Sequence, residues 1–129
     1  MVAVAEIMTA DVFTVAPECP VAEAARAMVR GRFGSAVVMQ GRMLVGIFTE
    51  RDVLRAAAAA GTDLTQSPVS RWMTRDPETV ERDVDSQQAA ELMLGGGFRH
   101  LPVVDDTTLV GIVSLRDLLT PRIRQRRPD

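Results

Sequence analysis

The hydrophobic and polar positions of the chain change period in a fixed order. A short β-rich run over residues 12–15 is followed by the helix-face spacing i, i+3, i+4, i+7, which begins at Val21 and ends at Met28. Gly31 is placed to end that helix. Two strands are predicted over 36–39 and 43–48, around the turn residues 40–42. A second helix is predicted from Thr49 through the alanine-rich stretch towards residue 61.

The same order of periods returns in the second half of the chain. It predicts a strand over 78–80, a helix over 85–94, strands over 101–104 and 109–113, and a helix from Ser114. Each half is therefore β-α-β-β-α. The pattern predicts an α/β fold of the α+β type, in which two tandem repeats, each a sheet covered by helices, are related by a pseudo-twofold axis.

Direct alignment of the chain with itself supports this duplication. At an offset of 65 residues, 19 of the 51 positions from Val4 to Leu54 are identical to those from Val69 to Leu119. We divide the chain into a first repeat (1–61), a polar connector (62–68), a second repeat (69–120) and an Arg-rich tail (121–129) that we expect to be flexible. Two copies of one unit predict similar cores and two equivalent clefts for ligands.

Composition narrows the functional classes. The net charge of -2 combines a tail of +3 with a body of -5, which does not provide the broad basic face of a nucleic-acid-binding protein. Cys19 is the only cysteine, so neither an intrachain disulfide nor a cysteine cluster for zinc is expected. No apolar run is long enough for a membrane span, and residues 1–15 lack the charge pattern of a secretory signal. These features predict a cytoplasmic protein.

The strongest local motif follows the last strand of each repeat. Thr49 precedes Asp52 by three positions, and Ser114 precedes Asp117 in the same way. One interpretation is structural, because a hydroxyl residue and an acid at this spacing cap the first turn of a helix. The other is functional and compatible with the first: the hydroxyl donates to a phosphate, the Arg between them neutralises it, and the Asp accepts from ribose hydroxyls.

The doubled motif resembles the cystathionine β-synthase (CBS) domain. The resemblance covers about 105 of 129 residues, from the paired Met-Thr openings at Met8 and Met73 to the paired Ser/Thr-x-x-Asp endings. It implies a Bateman module that binds an adenosine-containing ligand between its repeats. In such modules the Asp holds the ribose, the Ser or Thr holds phosphate, and backbone near the early Thr-Val and the Leu-Pro strand contacts adenine. The residues predicted to bind ligand are Thr14, Val15, Thr49, Arg51, Asp52, Thr79, Val80, Arg99, His100, Leu101, Pro102, Ser114, Arg116 and Asp117.

The two copies differ beside this motif. Gly34-Ser35 in the first repeat corresponds to Arg99-His100 in the second, and relatives carry a phosphate-binding Arg at the position of Arg99. We therefore predict that one cleft is the better anion site.

A metal role for His100, the only histidine, and a Ser114-His100-Asp117 triad are disfavoured because no further metal-ligand cluster, nucleophile elbow or oxyanion loop accompanies them. Residues 95–97, all glycine, are expected to stop a helix.

The resemblance predicts a regulatory sensor without catalytic residues. Its expected ligand is AMP, ADP, ATP or S-adenosylmethionine, with no required cofactor and no metal. A homodimer and a protein effector in trans are the expected partners. The alternatives are a ligand-free structural module, a nucleic-acid-associated regulator that uses the tail and, least favoured, a small enzyme.

Overall fold

The computed structural model describes residues 1–119, and the Arg-rich tail lies outside them. The predicted α/β class and the repeated β-α-β-β-α order are confirmed. The strands are β1 (Thr14–Val15), β2 (Ser35–Gln40), β3 (Met43–Thr49), β4 (Thr74–Arg75), β5 (Val80–Glu81), β6 (His100–Asp105) and β7 (Thr108–Ser114). The helices are α1 (Val21–Gly31), α2 (Glu50–Ala58), α3 (Ser86–Gly96) and α4 (Leu115–Leu119).

Two compact units divide the chain. The central unit is Phe13–Pro77, and the split unit combines Met1–Val12 with the described residues from 78 to 119. The sheet of the central unit has the order β1-β2-β3-β4, in which β1 is parallel to β2 and the other pairs are antiparallel. The sheet of the split unit has the order β5-β6-β7 with the same directions. Each sheet is thus built around one β-hairpin whose second strand leads into a helix.

The opening segments of the two repeats are exchanged between these units. Strand β4, from the opening of the second repeat, pairs with β3, and Thr9, from the opening of the first repeat, forms a bridge with Ile112 on β7. The Thr9 N–H donates to the Ile112 carbonyl at 2.8 Å, and the Ile112 N–H donates back at 3.0 Å. A repeat as defined by sequence therefore does not coincide with a compact unit.

Burial explains why the openings occupy these positions. Val4 and Val69, which align at the 65-residue offset, are both fully buried, one in the core of the split unit and the other in that of the central unit. Met28 and Met93, which also align at this offset, are both buried on the core faces of their helices. Burial of such side chains is the main favourable term for a unit of this size.

Strand β5 begins one residue later than its counterpart, so Thr79, predicted to be in a strand, lies outside it. In the central unit the Val37 N–H donates to the Phe13 carbonyl at 3.0 Å, next to β1. The residue that corresponds to Val37 is Pro102, which has no N–H to donate. The missing donor accounts for the shift in the start of β5.

The helix ends also differ in detail from the prediction. Helix α2 ends at Ala58, short of residue 61, and α1 follows Pro20, which is its N-cap residue in an extended conformation. After α1 the chain turns at Arg32 (φ 59°), and after α3 it turns at the corresponding Gly97 (φ 73°). The predicted helix stop at residues 95–97 is confirmed. None of the helices within residues 1–119 has the length and apolar character needed to span a membrane.

Candidate functional site

The two β-hairpins place the hydroxyl residues of the doubled motif at equivalent strand ends. Thr49 at the end of β3 pairs with Ser35, and Ser114 at the end of β7 pairs with His100. The first N–H of α2, from Glu50, donates to the Gly34 carbonyl at 3.2 Å. The first N–H of α4, from Leu115, donates to the Arg99 carbonyl at 2.8 Å. The residues that differ between the copies therefore lie directly beside the motif.

At the start of α2, the Asp52 carboxylate accepts hydrogen bonds from two nearby residues of the same repeat, Thr49 and Arg55. Its Oδ2 accepts from the Thr49 N–H at 2.9 Å and from the Thr49 hydroxyl at 3.2 Å, while its Oδ1 accepts from Nη1 of Arg55 at 2.8 Å. The Asp52 side chain is only 7% exposed. This carboxylate caps the helix and forms an ion pair with the last turn of the same helix.

At the start of α4, the same residue types form a simpler arrangement. The Ser114 N–H donates to Oδ2 of Asp117 at 3.2 Å, and the Asp117 N–H donates to the Ser114 hydroxyl oxygen at 3.1 Å. This reciprocal pair satisfies two N–H groups that have no partner within the helix. The structural interpretation of the motif as a helix cap is therefore confirmed in both copies.

The glycine before each motif is required by packing of the exchanged openings. A Cβ at Gly46 would lie 2.9 Å from Cγ of Met73 and 3.0 Å from the Thr74 carbonyl oxygen. At Gly111 the corresponding distances are 2.9 Å to Cγ of Met8 and 3.1 Å to the Thr9 carbonyl oxygen. A methionine side chain and a neighbouring backbone carbonyl therefore fill the space beside each glycine.

The residues predicted to contact adenine are divided between core and surface. Val15 packs against the core of the central unit and Val80 is buried in that of the split unit, whereas Thr14 and Thr79 are exposed. Thr79 and Val80 line a surface pocket of about 520 Å³, together with Glu81, Val84, Gln88, Glu91 and Leu92. The pocket is lined by β5 and α3 rather than by the Ser114 motif.

The other predicted residues of the split unit surround the end of its hairpin. The side chains of Arg99 and Arg116 are exposed. Those of His100, Ser114 and Asp117 are half-buried. Leu101 belongs to the core and Pro102 is fully buried, so only Arg99 and His100 of this segment keep accessible side chains. In the central unit, Arg51 is exposed beside the buried Asp52.

Arg55 and Trp72 are two residues of this site that the sequence analysis did not connect. Nη1 of Arg55 donates to the Trp72 carbonyl oxygen at 3.2 Å, and its guanidinium lies 5.8 Å from the Trp72 ring centre. Nε1 of Trp72 donates to the hydroxyl of the buried Ser67 at 2.9 Å. A signal was present in the alignment, because Arg55 corresponds to Thr120 and Trp72 to Ile7.

Cys19 and Asp63, two residues outside the motif, have shifted pKa values. Burial, followed by the negative charge of Glu23, raises the pKa of the Cys19 thiol to about 11. Hydrogen bonds from the side chain and backbone of Thr65 lower the pKa of Asp63. In the part of the chain that is described, no three His, Cys, Asp or Glu side chains are grouped to hold a metal ion.

The sequence profile of the CBS domain matches the chain twice, at residues 4–59 and 69–121. The chain belongs to the CBS domain family. The CBS domain-containing protein YhcV of Bacillus subtilis is 36% identical over 118 residues, which cover 92% of this chain and 84% of YhcV. The CBS-domain protein ATU1752 of Agrobacterium tumefaciens has a TM-score of 0.81 and 38% identity, and the match covers 88% of this chain and 90% of that one.

A further CBS pair is similar in fold and was solved with ligands. The pair from protein MJ0100 has a TM-score of 0.84 and 25% identity, and the match covers 93% of this chain and 94% of that one. Its crystal structure contains 5-methylthioadenosine and S-adenosyl-L-methionine. Both molecules are adenosine derivatives, so a CBS pair with this fold does bind that class of ligand.

Proposed function

We propose that this CBS pair is a regulatory module that binds an adenosine-containing ligand and signals its presence to a protein partner in trans. AMP, ADP, ATP and S-adenosylmethionine are the candidate ligands. The observation that carries the proposal is the doubled hydroxyl–carboxylate pair, which ends a strand in each unit and stands beside exposed arginines. The adenosine derivatives bound by the MJ0100 pair support the ligand class.

The proposed roles follow the chemistry of each side chain. Asp52 and Asp117 are acceptors for the paired hydroxyls of ribose, and Thr49 and Ser114 are donors to phosphate. Arg51, Arg99 and Arg116 supply positive charge, and His100 adds a ring nitrogen. Thr14, Val15, Thr79, Val80 and the segment at Leu101-Pro102 border the adenine. These assignments explain why exposed arginines stand next to a carboxylate that already caps a helix.

The proposed signal is a shift in population. A ligand that contacts both repeats favours one of their relative arrangements, and the partner binds that arrangement more tightly. We propose a cytoplasmic homodimer as the form that the partner recognises, without catalytic activity of its own. The coupling is reciprocal, so the partner should raise the affinity for ligand by the same factor.

Calorimetric titration with a panel of adenosine ligands tests the assignment. We expect Asp117→Ala to weaken binding of the best ligand by roughly tenfold or more, because it removes the ribose acceptor. Asp83→Ala, at an exposed acid outside the motif, is the matched control and should bind normally. Unchanged affinity in both Asp117→Ala and Asp52→Ala would place the ligand elsewhere.

One observation favours a second candidate, a structural module that binds no ligand. In both copies the hydroxyl and carboxylate hydrogen-bond within their own helix cap, so the motif has a sufficient structural role. Thermal melts distinguish the two candidates. A ligand at 100 times its Kd adds about 2.7 kcal/mol to the native state and raises Tm, whereas a purely structural module melts at the same temperature with every nucleotide.

A third alternative concerns the Arg-rich tail, which lies outside the described residues. Association with nucleic acid through residues 121–129 stays a prediction. Deleting these residues and measuring retention of DNA and RNA at low salt tests it, because binding through arginine–phosphate contacts is strongest there.

A further inference from the structure

The carboxylates of the two copies differ in how many acceptor positions remain. A carboxylate offers about four lone-pair positions, and the paired hydroxyls of a ribose require two of them. Asp52 already accepts three hydrogen bonds, from the Thr49 N–H, the Thr49 hydroxyl and Arg55. Within residues 1–119, Asp117 accepts one, from the Ser114 N–H. Asp117 therefore has room for both ribose hydroxyls, whereas Asp52 has room for them only after it gives up one of its three hydrogen bonds.

The hydroxyl groups differ in the same sense. A hydroxyl has one hydrogen to donate. The Thr49 hydroxyl donates its hydrogen to the Asp52 carboxylate. It must be the donor of this bond because an ionised carboxylate can only accept. The Ser114 hydroxyl instead accepts from the Asp117 N–H, which leaves its hydrogen available to a phosphate oxygen. Among the described residues, the Thr49 hydroxyl and most acceptor positions of Asp52 are thus engaged, whereas the Ser114 hydroxyl hydrogen and most acceptor positions of Asp117 are not.

Arg55 takes up one of the acceptor positions of Asp52, and contacts with both Asp52 and Trp72 hold its guanidinium in place. Its guanidinium forms the 2.8 Å ion pair with Asp52 and donates to the Trp72 carbonyl oxygen. It also lies over the Trp72 ring, which is fixed by the hydrogen bond to buried Ser67. The Arg55 side chain is 55% exposed and the Asp52 side chain 7%, so the arginine covers the carboxylate from the solvent side.

We infer that Arg55 closes the Thr49–Asp52 motif to ligand and thereby directs the adenosine ligand to Ser114 and Asp117. This inference rests on the proposed function and adds to it a residue that decides between the two motifs. A ligand at Asp52 must first displace a guanidinium that is anchored to Trp72. The residue at the position of Arg55 in the second copy is Thr120, which carries no guanidinium to pair with Asp117.

The test is a calorimetric count of sites per chain with the adenosine ligands used above. We expect wild type to bind one equivalent, lost in Asp117→Ala and retained in Asp52→Asn. Arg55→Ala should add a second site, or tighten a weak one by roughly fivefold, because the ligand no longer has to displace a half-exposed ion pair. That gain should disappear in Arg55→Ala/Asp52→Asn.

Two further variants control the experiment. Arg71→Ala removes the other guanidinium over the Trp72 ring, 5.6 Å from its centre, and should leave the site count unchanged. Arg55→Met keeps the aliphatic stem without the charge and should reproduce Arg55→Ala if the latter folds poorly. Circular dichroism melts check the folding of each variant.

The outcomes separate the inference from the proposed function. Binding by wild type with an unchanged site count in both Arg55 variants overturns the inference and leaves the proposed function intact. Weaker binding in those variants also overturns it, because Arg55 would then be a ligand contact. Absence of binding in wild type and in every Arg55 variant overturns the proposed function and, with it, the inference.

Discussion

Replacing Gly111 by alanine is expected to destabilise the split unit. The added Cβ would lie 3.1 Å from the Thr9 carbonyl oxygen and in contact with Met8, and a backbone atom cannot rotate away as a side chain can. Overpacking of this kind typically lowers the free energy of unfolding by about 1–3 kcal/mol. Urea denaturation of the wild type and the variant measures this difference. Gly95→Ala, where no atom lies within 4 Å, is the matched control and should be neutral or slightly stabilising.

Cys19 should react slowly with alkylating reagents. With a pKa of about 11, only about one thiol in a thousand is ionised at pH 8, and the thiolate is the reactive form. The rate of iodoacetamide reaction should therefore keep rising up to pH 11. Glu23→Gln should lower this pKa, because it removes the second largest cause of the shift, and speed the reaction at pH 8. A rate that levels off near pH 8.5 would contradict the assigned environment.

At the scale of single residues, the sequence identified Thr49, Asp52, Ser114 and Asp117 because their spacing is local and repeated. It did not distinguish the two pairs by their hydrogen bonds. That difference depends on Arg55, whose contact with the Trp72 carbonyl spans 17 positions of the chain. No periodicity in the sequence carries information about such a contact.

Substitutions at the turns after α1 and α3, at Arg32 and Gly97, should change the free energy of unfolding in opposite directions. Arg32 has φ 59°, a conformation that side chains with a Cβ adopt at a cost, and Gly97 has φ 73° at the same place in the second copy. Arg32→Gly should raise the unfolding free energy by about 0.5–1 kcal/mol, and Gly97→Ala should lower it by a similar amount. Urea midpoints measure both, and equal signs for the two changes would contradict this account.

The late start of β5 predicts the effect of restoring an N–H at Pro102. In Pro102→Val the new N–H should donate to the Glu78 carbonyl, as the Val37 N–H does to that of Phe13. Hydrogen exchange followed by NMR should show a protected amide at position 102, and rapid exchange there would contradict the explanation. Net stability should change little, because the added hydrogen bond of about 1 kcal/mol offsets the loss of a rigid proline.

Element order was predictable because hydrophobic period and turn residues are local properties. The start of β5 was not, because the effect of Pro102 on a strand more than twenty residues earlier appears only when the strands are paired. Strand β4 was missed for a related reason: Thr74–Arg75 has two residues, too few to show alternation, and exists through its pairing with β3.

For the whole molecule, the exchanged openings predict which fragment is the more stable. Residues 13–77 contain the complete central unit, including the core residue Val69 and the segment over Gly46. Residues 1–61, the first repeat by sequence, lack both. Circular dichroism should show a more cooperative melt and a higher Tm for fragment 13–77 than for fragment 1–61, although both are near the size at which stability is marginal. The reverse order would contradict the division into units.

The exchange was beyond the reach of sequence patterns. The alignment of Met8-Thr9 with Met73-Thr74 revealed that the two openings are equivalent. Two equivalent openings could each pack on their own repeat, or each on the other repeat, and the alignment is the same in both cases. The choice is made by non-local backbone bonds such as that from the Val69 N–H to the Cys19 carbonyl at 2.8 Å.

The bridge between Thr9 and Ile112 has a consequence for biosynthesis. The ribosome makes residues 13–77 as one uninterrupted stretch, so the central unit has all its segments once Pro77 emerges. Residues 1–12 are made earlier, yet their partner strand follows about a hundred residues later, which corresponds to roughly 5–20 s at typical elongation rates. During that interval the apolar side chains of Val4 and Ile7 lack their native core and are open to capture by chaperones.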